Sequence, residues 1–382
     1  MKILHISYSD NYGGANIAAK RIYNSIKKLN KNTEFLVIDK KFKDKKIINY
    51  KYNLAFSKKL RPYFEKIILK TFNIKGKASL NLFPSQIYKF INKNNYDIVN
   101  LHWINNEMMS INDIDAIKSK IYWTVHDFWP LSNIYHYPFN KKKNFFERNL
   151  SKSLTKFKLN KIKKKKINFI FPSKWIYNQL NQSFDLSREK TEMIRNPIDT
   201  NFWKPSKKQN NQNIILFGAV DIHKDNRKGF KKFVNSINKI YKDLIEYKIY
   251  FFGSNENFNT ILNIPSKNFG YLQNLQLRNL YRKSSCYVVY SEKDNLPNTA
   301  IEALSCGVPV ITVKNNGLKE IIKHKSNGYI LKNFSSAELK RGLIWLSRNK
   351  KKKNFQQKIH NLIKKNFSYS VISKKYLKFY KN

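Results

Sequence analysis

The stretch YSEKDNLPNTAIEALSCGVPVITVKNNGLKEI, Tyr290–Ile321, decides how the chain reads. It starts at the end of the apolar run CYVVY (286–290) and contains a second run, VPVITV (308–313), so it joins two buried strands. Between them sit Asp294, Pro297 and Glu302. Pro297 suits the first position of a helix, where its missing N–H would be unpaired anyway. That helix runs through Glu302 to Ser305 and stops at Gly307, with Pro309 opening the next strand. Asp294 then lies in the loop at a strand's carboxyl end, and Glu302 lies one to two turns inside the helix, at ~1.5 Å per residue. A ligand crossing the helix start offers hydroxyl-bearing groups to both acids, with a diphosphate between them near the backbone amides. Sugar, diphosphate, ribose is the layout of a sugar nucleotide. One capping acid and one exposed helix acid is the plainer reading of the same residues.

Outward from this stretch the pattern repeats. KILHISY (2–8), EFLVID (34–39), DIVNLHW (97–103), IYWTV (121–125) and INFIF (167–171) are expected strands, with helical segments between them such as Asn16–Asn30. A second series follows: NIILFGA (213–219), YKIYFFG (247–253), CYVVY and VPVITV, with helices expected over 228–242, 275–283, 297–306 and 335–348. Nearly unbroken apolar strands separated by helices imply parallel sheets covered on both faces. The expected fold is therefore α/β, with two Rossmann-like doubly wound domains facing each other across a cleft. The expected boundaries are 1–195 for the first domain, 196–212 for a linker, 213–360 for the second domain and 361–382 for a returning C-terminal helix. Ligands in such sheets bind at the carboxyl ends of strands.

Bulk properties narrow the class. The 382 residues are 41% hydrophobic and 15% aromatic, enough for packed cores in two domains. Lys+Arg 74 against Asp+Glu 25 gives a net charge of +49, a field that favours phosphate-bearing partners. Abundant Lys, Asn, Ile, Tyr and Phe also fit an AT-rich genome. Cys286 and Cys306 are too few for a disulfide framework or a zinc site, which suggests a reducing compartment. MKILHISYSDNYGG does not read as a signal peptide, and no apolar run reaches the ~18 residues of a membrane span. A cytoplasmic protein, free or at the inner face of the cytoplasmic membrane, is expected. The densest basic run, KKKNFFERNLSKSLTKFKLNKIKKKK (141–166), fits a solvated helix face or a surface for anionic lipid. A nucleic-acid reader would need aromatics interleaved with that run, and it holds only Phe145, Phe146 and Phe157.

The loops after the strands supply further candidates. Gly13 and Gly14 allow a tight turn and close approach of a ligand, and the helix after them points N–H groups at an anion. Taken alone they fit a plain turn equally well, and the pattern is not a dinucleotide fingerprint. His126 stands at the end of IYWTV, followed by Asp127, and His102 holds the same position on the preceding strand. Arg227 and Lys228 precede Gly229 and a helix start, where cations are unfavourable unless an anion lies between them.

These residues resemble the signature of the GT-B retaining glycosyltransferases, family 4: an acid, seven residues, then Glu in a segment ending G-x-P-V. Here it is DNLPNTAIEALSCGVPV, 294–310. Matching features include GGA (13–15), TVHDFWPLS (124–132), FPSKWI (171–176), IRNPID (194–199), RKGF (227–230), NNGLKEII (315–322) and FSYSVISKKYLKFY (367–380). HDFWPLS with DNLPNTAIEAL is similar to the branch that builds exopolysaccharide and O-antigen chains. The resemblance implies that Glu302 binds ribose hydroxyls and Asp294 the donor sugar. It implies that the amides of Asn295, Leu296, Pro297's neighbour Asn298 and Thr299 hold the diphosphate, with Pro297 shaping that turn and Lys228 and Arg227 assisting. Gly13 and Gly14 would lie beneath the diphosphate and His126 beside the sugar. His126, Asp294 and Lys228 are thus the expected catalytic residues, with no metal and no cofactor beyond a UDP- or GDP-sugar donor. The implied acceptor is a lipid-linked or growing glycan. Two departures stand out: the first acid is Asp294 where the family has Glu, and FGAVD (217–221) lacks the family's Arg after the strand-end Gly. Other readings are a catalytically impaired paralogue, a sugar-nucleotide epimerase and a nucleic-acid-binding protein.

Overall fold

The computed structural model of the chain describes residues 1–52, 60–137, 144–207, 212–258 and 261–382. Residues 138–139 after His126, 141–143 of the basic run and 208–211 of the expected linker lie outside them. The chain divides into two units, Met1–Pro197 with Ile372–Asn382, and Ile198–Val371.

Among the described residues, the first unit holds seven parallel strands: β1 (Ile3–Ile6), β2 (Thr33–Val37), β3 (Ile47–Asn49), β4 (Ile98–Leu101), β5 (Lys120–Thr124), β6 (Asn168–Phe171) and β7 (Thr191–Met193). Their order is β3-β2-β1-β4-β5-β6-β7. The second unit repeats the plan with β8 (Ile214–Gly218), β9 (Lys248–Phe252), β10 (Ser266–Asn268), β11 (Cys286–Val289), β12 (Val310–Val313) and β13 (Gly328–Leu331). Its order is β10-β9-β8-β11-β12-β13, again all parallel. Both are Rossmann-type orders, so the strand sequence reverses between β1 and β4 and between β8 and β11. Those two reversals are where ligands enter such sheets.

The central strands are buried along their whole length, which is why they carry unbroken apolar runs. The short edge strands β3, β7 and β10 were not expected from the sequence. Each is three residues long and partly exposed, so polar side chains such as Glu192 and Lys267 hide the pattern. β13 was not expected either, its GYIL being too brief a run to stand out.

Helices cover the sheets: α1 (Gly14–Lys27), α2 (Leu60–Thr71), α3 (Ile87–Lys93), α4 (Ile111–Asp115), α5 (Phe145–Lys165) and α6 (Lys174–Asn181) in the first unit. The second has α7 (Phe230–Lys239), α8 (Asn274–Lys283), α9 (Asn298–Ser305), α10 (Ser336–Asn349) and α11 (Phe355–Phe367). The helix starts differ from expectation by one or two residues, and two of the differences have a plain cause. α7 begins at Phe230 because Gly229, in the left-handed region at φ 72°, breaks it from the tight turn Asn226–Lys228. Pro297 caps α9 from outside with ψ 123°, so Asn298 is the first helical residue.

The last helix, α12 (Tyr369–Lys381), packs on the first unit. Ile372, Tyr376, Phe379 and Tyr380 bury themselves against Ile3, Ile22, Ile98, Tyr122 and Ile170. Each such side chain contributes about 1.5–3 kcal/mol. Asn100 Nδ2 donates to the Tyr380 hydroxyl at 2.6 Å, and Tyr122 donates to the Phe379 carbonyl at 3.0 Å. The returning segment is shorter than 361–382: α11 buries Phe355, Ile359, Ile363 and Phe367 in the core of the second unit. The linker too is partly structural, since Ile198 and Trp203 belong to that core.

Candidate functional site

In the second unit the reversal point between β8 and β11 gathers charge. Gly229 makes this possible. A Cβ there would stand 2.2 Å from the Tyr290 carbonyl oxygen, so only glycine lets the turn carrying Arg227 and Lys228 press against the end of β11. The Glu292 N–H donates to the Arg227 carbonyl at 3.0 Å and fastens the two segments. Asp294, nearly buried, then receives Lys228 Nζ at 2.6 Å and Arg227 Nη1 at 3.4 Å. Arg227 is further held by Asp225 at 2.8 Å and by the Lys293 carbonyl at 2.9 Å.

The electrostatics follow from this packing. Burial pushes the Asp294 carboxyl up, and the nearby Lys228 and Arg227 charges more than offset it, leaving the group below its usual range. Burial pulls the Lys228 ammonium down, Asp294 restores part of the loss, and Arg227 opposes it. Cations at a helix start had called for an anion, and here the protein itself supplies two, Asp294 and Asp225. Glu292, the other acid near the signature position, pairs with Lys232 and takes no part in the cluster.

Lys228 and Asp294 line one small concavity with Gly218, Ala219, Pro297 and Thr299. The first turn of α9 opens at this place, with the Ala300 N–H donating to the Pro297 carbonyl at 3.1 Å. Thr299 Oγ1 accepts from the Tyr287 hydroxyl at 2.9 Å, which fixes that turn to the sheet. Leu296 is part of the hydrophobic core, so it brings only its backbone. Glu302 does not line this concavity among the residues found there. It is 5% exposed, and its Oε2 accepts from the buried Tyr281 hydroxyl at 3.2 Å.

The first unit places its own candidates after β1, β4 and β5. Gly13 caps α1 at φ 85°. A Cβ on Gly14 would meet no atom within 4 Å, so the space in front of it is open. Asn16 braces the loop, accepting from Ser7 Oγ at 2.6 Å and donating to the Tyr12 carbonyl at 2.8 Å. His126 joins a row of three rings: His5 Nδ1 lies 2.9 Å from His102 Nε2, and His102 Nδ1 lies 3.1 Å from His126 Nε2. Burial pulls His126 down to about 4 and His5 to about 3, and it holds His102 well below its ordinary value.

Asp127 turns away from this row. Its carboxylate accepts from His136 Nδ1 at 2.7 Å and from the Trp129 N–H at 3.1 Å, while His136 Nε2 meets Ser79 Oγ at 3.0 Å. Burial pushes the Asp127 carboxyl up, and the contact with His136 brings it below its usual range. All three side chains are buried, so this arrangement pins the loop after β5. His5, Ser79, His136, Tyr281 and Tyr287 were not singled out from the sequence. Their partners lie 9 to 97 residues away, and no local pattern announces such pairs.

Known proteins resemble this chain in sequence and fold. Residues 199–364 match the family described as glycosyl transferases group 1, and residues 52–202 match glycosyltransferase family 4. Together the two matches span residues 52–364, and with the two parallel sheets they support a glycosyltransferase of the GT-B fold. An uncharacterized glycosyltransferase of Haemophilus influenzae is 33% identical over 70 residues, covering 18% of this chain and about a fifth of its own length. Anabaena HepE, crystallised with UDP, shares the fold of this chain at a TM-score of 0.65 and 15% identity over 99% of each chain. WaaG, a glycosyltransferase involved in lipopolysaccharide biosynthesis, superposes at 0.63 with 12% identity over 98% of each.

Proposed function

We propose that this chain transfers a sugar from a nucleoside diphosphate sugar to a glycan acceptor, with retention at the anomeric carbon and without a metal ion. One observation carries the reading: Lys228, Asp294 and the start of α9 line one concavity at a strand-reversal point, and Arg227 pairs with the same Asp294. A departing diphosphate develops negative charge, and two cations with helix amides aimed at it stabilise that charge without reorganising. Asp294 neutralises the cations while no donor is bound. When the diphosphate takes its place beside Lys228, the carboxylate is released to hold a sugar hydroxyl. Glu302, oriented by Tyr281, serves the ribose.

UDP is the donor nucleotide we favour, because HepE binds UDP and UDP-glucose. WaaG's part in lipopolysaccharide synthesis supports a lipid-linked or growing cell-surface glycan as acceptor. We also propose peripheral contact with an anionic membrane. No described helix is long and apolar enough to cross one. Exposed Tyr63, Phe64 and Ile67 on α2 and exposed Phe145 and Phe146 on α5 nevertheless stand among lysines. Asn144 Nδ2 donates to the Phe72 carbonyl at 3.2 Å, bringing the start of α5 beside the end of α2. Aromatics flanked by cations suit an anionic interface.

The test is turnover of a panel of UDP- and GDP-sugars by purified protein, with Lys228→Ala alongside. Removing one preorganised charge from a developing anion costs about 10²–10³ in kcat. Loss of that order with the fold intact supports the reading, and full activity in the variant overturns the site. The engagement of Asp294 by two cations favours a second reading, a paralogue that binds the donor without transferring it. Saturable UDP-sugar binding with no turnover of any donor, and none restored by Asp294→Glu, would establish that reading.

A further inference from the structure

Two acids and an arginine of the first unit form a buried cluster that the proposed transfer does not use. Glu65 and Arg61 lie on α2 and Glu107 in the segment after β4, at 4%, 2% and 1% exposure. The stretch Leu80–Phe83 runs past them, and its four consecutive N–H groups all end on the two carboxyls. Leu80 donates to Glu65 Oε1 at 2.6 Å, and Asn81 donates to the same carboxyl. Leu82 and Phe83 donate to Glu107 Oε1 and Oε2, each at 3.0 Å. Glu107 is held at φ 54°, where non-glycine residues are uncommon. Arg61 turns its guanidinium to the carbonyls of Phe83, Pro84 and Glu107 rather than to either carboxyl. The Tyr52 ring lies 4.8 Å from that guanidinium, and Asp113 of α4 accepts from Ser85 just beyond.

The Glu65 and Glu107 carboxyls are also hydrogen-bonded to each other. An ionised carboxylate only accepts, so a bond between two carboxyls needs a proton on one of them. With that proton the cluster, Arg61 included, carries no net charge. Without it, one uncompensated negative charge stays in the core, which is costly. We propose that Glu65 and Glu107 share a single proton at neutral pH, and that this proton docks α2 on the stretch 80–84 and makes the helix a pH-sensitive element. Burial, with Glu107 beside it, pushes the Glu65 carboxyl up to about 8 and supports the same reading. An undocked glutamate ionises near 4.5 and the docked one near 8, so docking is tightest in acid and loosens as pH rises through that interval. The proton then leaves to solvent, and two buried carboxylates face each other. α2 also presents Tyr63, Phe64 and Ile67. Its docking therefore bears on the membrane contact proposed above, whereas the shared proton does not depend on that contact.

The test is infrared difference spectroscopy of the full chain at pH 7, wild type minus Glu65→Gln, for the C=O stretch of a protonated carboxyl. The amide keeps an oxygen for Leu80 and an N–H for Glu107 but has no proton to lose. Expected is one such band in wild type, absent from the variant and gone from wild type by pH 9.5. Hydrogen exchange on α2, corrected for its intrinsic dependence on pH, reads the docking. Protection in wild type should fall as pH rises from 5 to 8, by up to about tenfold per unit for one proton, and stay level in Glu65→Gln. No carboxyl band in the difference at pH 7, or α2 protection that declines equally in both proteins, would overturn the proposal. Should Glu65→Gln not fold, Glu107→Gln replaces it. With an amide there the cluster is neutral when Glu65 is ionised, so the band should again vanish, and its survival would overturn the proposal. Neither readout uses lipid, so a chain that ignored phosphatidylglycerol vesicles would refute the membrane contact and leave the shared proton standing.

Discussion

At Asp294 one carboxylate answers to two cations, Lys228 at 2.6 Å and Arg227 at 3.4 Å. Its depressed pKa means that the pairing stabilises the fold at neutral pH and is lost as pH falls through the folded value. Replacing it separates binding from chemistry. Asp294→Asn frees Lys228 from its internal anion while Arg227 keeps Asp225, so UDP should bind tighter, by roughly threefold to tenfold, about 0.7–1.4 kcal/mol. Transfer should fall at the same time, since the sugar hydroxyl exchanges a charged acceptor for a neutral amide. Calorimetric titration with UDP beside the turnover assay checks this; weaker UDP binding would show that Asp294 does not compete with phosphate. The sequence singled out Asp294, Lys228 and Glu302 by their places after strand ends, and the structure pairs the first two while Glu302 lies outside their concavity. The bond from Tyr281 to Glu302 was not legible, because Tyr281 is an ordinary apolar position of α8 until the helix is docked.

Among elements, the loops after β1, β4 and β5 show what burial does to titration. The unfolded chain takes up a proton at each histidine near pH 6.5, while folded His5 and His126 resist down to about 3 and about 4. The unfolded state thus binds more protons between pH 6.5 and about 4, and stability falls as pH falls through that window. Glu65, held up to about 8 by burial and by Glu107, works in the opposite sense, so the effect is read as a difference. Denaturant midpoints of His126→Asn, taken from pH 7 to pH 4.5, should show a slope shallower than wild type by about one proton. Equal slopes would mean that His126 titrates normally in the fold. The core strands around these loops could be read from their apolar runs. Edge strands β3, β7 and β10 could not, because three half-exposed residues carry no period. The row of histidines was half legible: strand-end position marked His102 and His126, whereas His5 lies inside β1 and meets His102 across the sheet.

For the whole molecule, the strand orders of both units follow from alternating strands and helices, and the family 4 matches agree with that alternation. The excess charge of +49 is spread through the chain, and on α2 and α5 of the first unit it lies beside exposed aromatics. That coincidence makes a membrane prediction. Phe145→Asp with Phe146→Asp should cut sedimentation with phosphatidylglycerol vesicles at least tenfold and leave turnover of a soluble acceptor unchanged. Unaltered sedimentation would assign the binding to charge alone. Why sequence marked the run 141–166 without its partner is plain: α2 is remote along the chain and meets α5 only through contacts such as Asn144 with Phe72.

The central claim is that Lys228 exchanges an internal carboxylate for a diphosphate at the start of α9. A crystal structure of the protein with UDP tests it most directly. The account predicts phosphate oxygens within hydrogen-bonding distance of Lys228 Nζ and of the first-turn amides of α9, with the 2.6 Å contact to Asp294 lengthened or broken. A nucleotide bound elsewhere, or bound with Lys228 still closed on Asp294, would contradict it.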